Sequence, residues 1–376
     1  MKKLFIITGE YSGDRHAADV VNELKKINPD IEIEAVGGLN LRNTGIKLYC
    51  DHSKMSAIGF NTKIILSHIN LGKQIAKYLK DEFKPDMVLL TDYGGFNLNL
   101  SKVLSKYGFK IYYYIPPQIW ASRKWRMNTV KKCINKVLTI FPFEKEMYKK
   151  EGVDAEFVGH PLLDEMPESI IDKNAFFDEN AIDKSNKLVS IFPGSRVFEV
   201  KNLLEIFLEA ARKLKTKHDD LQFVLCQAPN IKDNLIYPCL DKYKDLNVKV
   251  LKNKNYELLS VSDALMLASG TVALEAALYE TPMIISYKGP WFLYGVYLLV
   301  RCIKRVCLPN IILDKDIVPE LIQLKAKAEN VAFSVEEILY NENYRLNMIN
   351  ELRNVKQKLS GSNTAKKVAT IISENI

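Results

Sequence analysis

Several features that define common protein classes are missing from this sequence of 376 residues. It has no Cys-x-x-Cys pair, and its six cysteines are scattered, which argues against a zinc cluster and favours free thiols in a reducing compartment. No run is long enough to span a bilayer, and the apolar part of the N-terminus is too short for a signal peptide. We therefore expect a cytoplasmic protein whose only membrane contact is peripheral.

Common nucleotide and nucleic-acid motifs are missing as well. The turn after the first apolar segment, Gly9 to Asp14, lacks the Gly-x-Gly-x-x-Gly fingerprint, so NAD binding is not expected. Nothing in the chain resembles a nucleic-acid-binding motif. The net charge of +8 nevertheless suits an anionic partner. An acidic membrane surface and phosphorylated substrates are the favoured candidates.

Buried strands alternate with amphipathic helices along the chain, and the alternation restarts after a polar stretch. With 47% hydrophobic residues the chain is not disordered, and its length predicts two domains. Residues 164–187, rich in Asp, Glu, Asn and Lys, are interpreted as the linker, with one short helix. The pattern indicates an α/β protein of two Rossmann-like halves facing a cleft, with ligand-binding turns at the carboxyl ends of the strands.

The sequence between Ala264 and Tyr279 predicts a buried strand, a polar turn of Ser269, Gly270 and Thr271, and a helix. A helix N-terminus carries unpaired N–H groups and partial positive charge, so this turn could hold a phosphate. Glu275, one turn into the helix, could accept hydrogen bonds from both hydroxyls of a ribose. A capping box does not account for the acid, because the position three residues after Thr271 is a leucine. An ordinary turn with a dipole-matched acid remains the alternative.

A second turn in the same half has the composition of a phosphate cradle. It contains Gly194, Ser195 and Arg196, and it joins a strand ending at Phe192 to a long amphipathic helix. The guanidinium of Arg196 offers a bidentate pair of donors for a pyrophosphate. The alternative is a simple turn with an arginine on the surface.

Candidate ligand residues in the first half also follow strands. Glu10 and Asp92 each stand at the carboxyl end of a strand, and Ser12 is expected to cap the first helix. His160, in a Gly-His-Pro turn, could reach a phosphate or sugar or could hydrogen-bond the turn. The basic run from Arg123 to Lys136 could face phosphates or anionic lipid, or could be a solvated helix face.

Two apolar segments allow a membrane or lipid interpretation beside that of core packing. Residues 55–69 could expose a surface for a lipid chain, and residues 291–300, followed by basic residues, could lie at a membrane interface. Asp314-Lys315-Asp316 has the form of a metal–nucleotide motif. It sits in a polar loop and not after a strong strand, and is interpreted as a chance occurrence.

A series of short motifs, in order, resembles the lipid A disaccharide synthase family, which are inverting glycosyltransferases of the GT-B type. The matching segments are Gly9–Asp14, Ile115–Ala121 with Arg123, Phe141–Glu144, Gly159–Leu162, Phe192–Arg196 with Glu199, Ala268–Thr271 with Leu274 and Glu275, Pro282–Met283, Tyr287–Lys288, Leu308–Asn310 and Pro319–Gln323. Each is short, but together they extend over most of the chain and are highly specific.

The resemblance implies transfer of the sugar of UDP-2,3-diacylglucosamine to 2,3-diacylglucosamine 1-phosphate (lipid X). The products would be lipid A disaccharide 1-phosphate and UDP, formed with inversion and with neither a metal nor a cofactor. The enzyme would act at the inner face of the cytoplasmic membrane, and a homo-oligomer is left open. An acceptor- and membrane-side domain of residues 1–168, rejoined by a C-terminal helix within 349–376, and a donor domain of 169–348 are expected.

The resemblance also implies roles for individual residues. The catalytic candidates are Asp92 and Glu10, because the family's second acid in the turn after the strand ending at Leu90 is Gly95 here. On the acceptor side the candidates are Ser12, Asn97, Arg123 and His160. On the donor side they are Gly194, Ser195, Arg196, Ser269, Gly270, Thr271, Glu275, Asn310 and Gln323. The loss of the second acid keeps two alternatives open: a related UDP-sugar glycosyltransferase with another acceptor, and a catalytically silent relative that binds nucleotide sugar or membrane.

Overall fold

The computed structural model describes residues 1–51, 62–167, 172–290, 294, 302–359, 361 and 363–376. The chain forms two compact units, Met1–Asp164 with Leu359–Ile376, and Glu165–Lys358. The sequence predicts domain boundaries after residues 168 and 348, whereas the chain passes between the units after Asp164 and after Lys358. The second boundary lies later than predicted because Glu342–Leu359 is one continuous helix.

Unit 1 is built on a seven-stranded sheet in the order β3-β2-β1-β4-β5-β6-β7, with every pairing parallel. Its strands are β1 Lys3–Ile7, β2 Glu32–Gly37, β3 Lys47–Asp51, β4 Met87–Thr91, β5 Ile111–Tyr114, β6 Lys136–Thr139 and β7 Ala155–Phe157. Its helices are α1 Tyr11–Ile27, α2 Leu39–Asn43, α3 Thr62–Tyr78, α4 Gly94–Leu104, α5 Met127–Cys133, α6 Pro142–Lys150, α7 Leu162–Glu165 and, after the return of the chain, α16 Thr364–Asn375.

The sheet of unit 1 is covered on both faces, as the continuous apolar strands predict. Side chains of β1 alternate between the two layers: Phe5 and Ile7 pack with α3 and α4, whereas Leu4 and Ile6 pack with α1 and α16. Helix α16 packs along α1, which confirms the predicted return of the C-terminal helix to the first unit. The two layers leave the carboxyl ends of the strands as the edge where polar turns collect.

Unit 2 repeats this plan with a six-stranded parallel sheet in the order β10-β9-β8-β11-β12-β13. Its strands are β8 Lys187–Phe192, β9 Leu221–Gln227, β10 Lys249–Lys252, β11 Ala264–Ala268, β12 Met283–Tyr287 and β13 Glu320–Ile322. Its helices are α8 Lys173–Glu179, α9 Val197–Lys217, α10 Tyr237–Leu240, α11 Asn255–Val261, α12 Val272–Leu278, α13 Leu308–Leu313, α14 Ala328–Tyr340 and α15 Glu342–Leu359.

The strand order reverses direction once in each sheet, between β1 and β4 in unit 1 and between β8 and β11 in unit 2. Such a switch point opens a crevice at the carboxyl ends of the two strands, and open α/β sheets bind ligands there. The four turns that the sequence singled out follow these four strands. The fold therefore brings the candidate residues together in two pairs of turns.

Within the described ranges, no helix combines the length and apolarity needed to cross a membrane. Of the apolar segment 291–300 only residue 294 is described. Of the segment 55–69, residues 55–61 lie outside the described residues, and residues 62–69 belong to α3. The two membrane or lipid interpretations thus remain predictions.

Candidate functional site

The switch point of unit 1 brings two carboxylates together. Glu10 follows β1 and Asp92 follows β4, and these strands are adjacent and parallel. Burial raises the pKa of Glu10, and the neighbouring charge of Asp92 raises it further. Two acids at one ligand-binding edge, one of them perturbing the other, are typical of a site that moves protons.

The backbone that presents Asp92 is held in an unusual conformation. Asp92 and Tyr93 both adopt left-handed φ values, 51° and 49°, which non-glycine residues rarely adopt. The side-chain amide of Asn97 and the hydroxyl of Tyr113 each donate a hydrogen bond of 2.8 Å to the carbonyl of Asp92. Asn97 is fully buried. It was predicted to lie on the acceptor side, and the structure gives it a positioning role behind the turn.

The Asp92 carboxyl itself is partly shielded from solvent. Burial raises its pKa, while the backbone N–H of Tyr93, the charge of His16 and the hydroxyl of Ser12 lower it. The Ser12 hydroxyl lies 3.5 Å from Oδ2 of Asp92. The prediction that Ser12 caps α1 was wrong, because the helix begins at Tyr11, directly after Glu10. Ser12 instead faces the candidate base.

Gly9 and Tyr93 fix the spacing of the two turns. A Cβ atom at Gly9 would stand 2.2 Å from the ring of Tyr93, so only glycine fits there. The ring of Tyr93 therefore lies directly against the turn that carries Glu10. This contact explains a glycine at this position without any ligand.

The other acceptor-side candidates lie further along the same edge. Arg123 is exposed and has a left-handed φ of 58°. The pKa of Arg126 is lowered by the burial of Arg126 itself and, to a smaller extent, by the charge of Arg123. The Nδ1 atom of His160 accepts a hydrogen bond of 3.2 Å from the N–H of Leu162, which supports the turn interpretation. In the basic run, Lys131 and Lys136 form surface ion pairs, as on a solvated face.

The sequence analysis did not single out Glu144 as a titrating group. It is 1% exposed, and its carboxylate accepts hydrogen bonds from the indole of Trp120 at 2.9 Å and from the N–H of Phe141 at 3.3 Å. Burial raises its pKa to about 7. Glu144 stands at the third position of α6 and reaches back to the N–H of Phe141, the residue before the helix. Its partners are all structural, so we assign it no contact with ligand.

The switch point of unit 2 holds a cavity of about 400 Å³. The residues that line it include Gly194, Ser195, Arg196, Ser269, Gly270, Thr271 and Glu275, together with Phe192, Glu199, Cys226, Ala228, Asn255, Ala268 and Val272. Seven of the nine predicted donor-side residues thus share one cavity. The volume lies within the ordinary range for a small-molecule site.

The turn after β8 is held by Glu199 from inside α9. The Oε2 atom of Glu199 accepts hydrogen bonds from the N–H groups of Ser195 and Arg196, at 3.1 and 3.2 Å. A Cβ atom at Gly194 would stand 2.4 Å from the same Oε2 atom. The predicted cradle of backbone N–H groups is therefore corrected, because these donors already have a partner. What the turn offers a ligand is the Arg196 guanidinium, 72% exposed and 3.2 Å from Glu199.

Glu275 lies on the other side of the same cavity. Burial raises its pKa to about 7, with a further contribution from the charge of Glu165. In the part of the chain that the structure describes, no lysine or arginine forms an ion pair with Glu275. Helix α12 begins at Val272 without a side-chain cap. The carboxyl group is therefore placed to hydrogen-bond a ligand hydroxyl.

Asn310 and Gln323 do not line this cavity but a separate one in the same unit, so their donor-side role stays a prediction. The Asn310 amide donates to Val318 and Glu320 and accepts from the N–H groups of residues 317 and 318. The Gln323 amide pairs with both backbone groups of Gly289, at 3.2 Å each. Both side chains use their hydrogen-bonding groups to hold loops. Asp314 and Asp316 pair with Arg305, in keeping with the interpretation of that motif as chance.

Comparisons with solved structures agree with this architecture. The UDP-GlcNAc 2-epimerase of Neisseria meningitidis, solved with UDP-GlcNAc bound, superposes with a TM-score of 0.66 at 16% identity and covers 100% of both chains. A glycosyltransferase of Rickettsia africae superposes with a TM-score of 0.61 at 16% identity, over 100% of this chain and 98% of that one. These similarities confirm the predicted GT-B fold with two Rossmann-like domains.

Sequence comparisons go further than the fold. The family model described as Lipid-A-disaccharide synthetase matches residues 4–374. The lipid-A-disaccharide synthase of Geobacter sulfurreducens is 33% identical over 375 residues, covering 99% of this chain and 97% of that protein. That of Nitrosococcus oceani is 34% identical over 357 residues, covering 94% and 91%. The chain therefore belongs to the lipid-A-disaccharide synthase family and is a hexosyltransferase that forms lipid A disaccharide.

Proposed function

We propose that the protein transfers 2,3-diacylglucosamine from UDP to the 6-hydroxyl of 2,3-diacylglucosamine 1-phosphate, with inversion and without a metal. The observation that carries the proposal is the pairing of turns at each switch point, acids in unit 1 and Arg196 with Glu275 in unit 2. The family membership supplies the reaction class. Unit 1 is the acceptor side and unit 2 the donor side.

The donor cavity suits a UDP-sugar. The exposed guanidinium of Arg196 provides paired donors for a pyrophosphate. Glu275, on the opposite wall, accepts hydrogen bonds from the ribose hydroxyls. The relatives by fold support a uridine nucleotide, since the Neisseria epimerase was solved with UDP-GlcNAc and a Staphylococcus aureus protein with UDP.

The acid pair of unit 1 supplies the base. Asp92 takes the proton of the acceptor 6-hydroxyl as that oxygen attacks the anomeric carbon of the donor. The bond from this carbon to the UDP oxygen breaks, and UDP leaves with the bonding electrons. Arg196 stabilises the charge that develops on the departing diphosphate, a role that a fixed cation fills without a metal. Glu10 lies beside Asp92 at the same edge, where burial and then the charge of Asp92 raise the pKa of Glu10.

The acylated substrates place the reaction at the inner face of the cytoplasmic membrane, where the protein binds peripherally. The net charge of +8 favours both an anionic lipid surface and a phosphorylated acceptor. Among the predicted acceptor-side residues, Arg123 is the exposed cation that could bind an anionic lipid or the acceptor phosphate.

The test is an assay of the purified protein with the acylated UDP-sugar and lipid X, in the presence of EDTA. Equal release of UDP and β-linked disaccharide supports the proposal. UDP release only with another acceptor sugar overturns the acceptor assignment. Binding of the donor without turnover, under conditions where a known synthase turns over, overturns the catalytic assignment. Activity that EDTA abolishes and Mg²⁺ restores overturns the metal independence.

A further inference from the structure

A second cavity, of about 650 Å³, lies in unit 1 between α3 and α4. The residues that line it include His68, Gly72, Lys73, Tyr93, Gly95 and Phe96. The lining side chains are mostly aliphatic or aromatic, and Lys73 is the one lysine or arginine among them. The cavity is a cleft partly open to solvent, and a cleft of this size with mostly apolar walls can admit an apolar group of a ligand.

Two glycines keep the space open. Gly72 lies inside α3 and Gly95 at the start of α4, and neither has a left-handed φ. A Cβ atom at Gly95 would meet nothing within 4 Å, and one at Gly72 would find its first neighbour at 3.8 Å. Packing therefore requires glycine at neither position, although glycine is among the least favourable residues for a helix. Both glycines leave room that the protein itself does not fill.

The cavity adjoins the turn that carries the candidate base. Tyr93, the residue after Asp92, forms part of its wall, and its hydroxyl lies 3.2 Å from Nε2 of His68 on α3. The rings of His68 and Phe96 lie 5.8 Å apart across the same space. Gly95, which follows Asp92 by three residues, also lines this cavity. A substrate whose hydroxyl meets Asp92 therefore has an apolar space beside it.

We propose that this cavity receives one acyl chain of the acceptor, and that the missing side chains at Gly72 and Gly95 set how much chain it takes. The inference rests on the function proposed above, which makes the acceptor an acylated sugar phosphate. The apolar lining matches a saturated chain, and exposed Lys73 at the rim suits the acceptor's anionic group. The acceptor is the occupant because the cavity shares Tyr93 and Gly95 with the turn of its base.

The test compares acceptors whose acyl chains grow by two methylenes at a time, presented as monomers without vesicles. While the chain fills the cavity, each methylene should raise kcat/KM by about 4-fold, the equivalent of 0.8 kcal/mol at 25 °C. Gly72→Leu, which fills the cavity from α3, should lower the ratio of long-chain to short-chain kcat/KM by more than 10-fold. Gly72→Ala is the matched control, with similar helix propensity and one carbon of added volume, and should change the ratio by less than 5-fold.

Gly95→Leu fills the same space from α4 and should reduce the ratio in the same way. Turnover of the short-chain acceptor shows that each variant is folded. If wild-type protein turns over neither acceptor, the proposed function fails. If it turns over both but Gly72→Leu and Gly95→Leu keep the wild-type ratio, the cavity is not the acyl site and the function stands. A ratio that changes only when vesicles are added assigns the cavity to membrane lipid and overturns the proposal.

Discussion

The two units use one topology to prepare opposite chemical environments. Each places two candidate ligand-binding turns at the switch point of its sheet, after β1 and β4 in unit 1 and after β8 and β11 in unit 2. In unit 1 the turns carry Glu10 and Asp92, whose pKa values are raised. In unit 2 one turn carries Arg196, exposed beside a cavity. The first environment is suited to take a proton, and the second to hold an anion.

The way each turn is held differs accordingly. Asp92 stands on a left-handed backbone that Asn97 and Tyr113 fix by hydrogen bonds to its carbonyl, so the backbone that presents its carboxyl is held in place. The Arg196 turn is fixed through its N–H groups by Glu199, whose other carboxylate oxygen accepts a hydrogen bond from the Arg196 guanidinium. The predicted base thus lies on a backbone with a left-handed φ, whereas the predicted anion site lies at a helix N-terminus whose N–H groups bond Glu199.

Among the substitutions that test this difference between the two units, the largest loss of activity is expected at Asp92. Asp92→Asn keeps the shape and the Ser12 contact but removes the base, so kcat should fall by roughly 10²–10⁴-fold. Glu10→Gln should cost less, because Glu10 acts only on its neighbour. A coupled assay of UDP release measures both. If Glu10→Gln is the more damaging change, the roles of the two acids are reversed.

The pH profile sharpens the same assignment. A base works only when deprotonated, and burial raises the pKa of Asp92, so kcat/KM should rise with pH through a value above that of an ordinary aspartate. Glu10→Gln removes a neighbouring negative charge and should shift this rise to lower pH. An unshifted profile would mean that the titrating base is another group.

In unit 2, Arg196→Ala should lower kcat by roughly 10²–10³-fold, because it removes a donor that stabilises the departing UDP. The matched control is Arg212→Ala in α9, the helix that follows Arg196, because Arg212 pairs with Glu209 three residues away as Arg196 pairs with Glu199. The control should change kcat by less than 2-fold, as for an exposed ion pair. Equal effects of the two changes would remove Arg196 from the donor site.

Much of this fold could be predicted from the sequence, since apolar strands and amphipathic helices alternate with clear turns. The location of the residues that follow strands was also predictable, because the residues directly after parallel strands all lie at the carboxyl edge of the sheet. What could not be predicted were the hydrogen-bond partners of individual side chains. Asn310 and Gln323 fall in family motifs, but only the packed structure shows that their amides bond residues 317–320 and Gly289.

The pKa values could not be predicted from the sequence either, since burial sets them. Glu144 and Glu275 stand in different units, and burial raises the pKa of each to about 7. Glu144 is enclosed by Trp120 and Phe141, whereas Glu275 faces a cavity. The same perturbation therefore has two expected consequences, one for stability and one for binding.

For Glu144 the consequence is stability that depends on pH. Because the folded-state pKa of about 7 exceeds the ordinary 4.5, the stabilising contribution is full below pH 4.5 and is lost as pH rises through 7. Relative to Glu144→Gln, the wild-type free energy of unfolding should fall by about 3 kcal/mol between pH 4.5 and 8. Urea unfolding of both proteins at each pH measures this difference. A constant difference would place the pKa of Glu144 near its ordinary value.

For Glu275 the consequence is smaller and lies in donor affinity. A carboxylate accepts both ribose hydroxyls better than a carboxylic acid does, so UDP should bind more tightly as pH rises from 6 to 8 through the pKa of about 7. Glu275→Gln should weaken UDP binding by roughly 10-fold at pH 8, the loss of one charged hydrogen-bond acceptor. It should also flatten this part of the pH dependence. Glu280→Gln, which changes a glutamate just after the end of α12, is the control. Calorimetric titration with UDP measures the affinity of the wild-type protein and of both variants. Should the variant keep the wild-type pH dependence, the titrating group is elsewhere, and unit 2 would recognise the diphosphate alone.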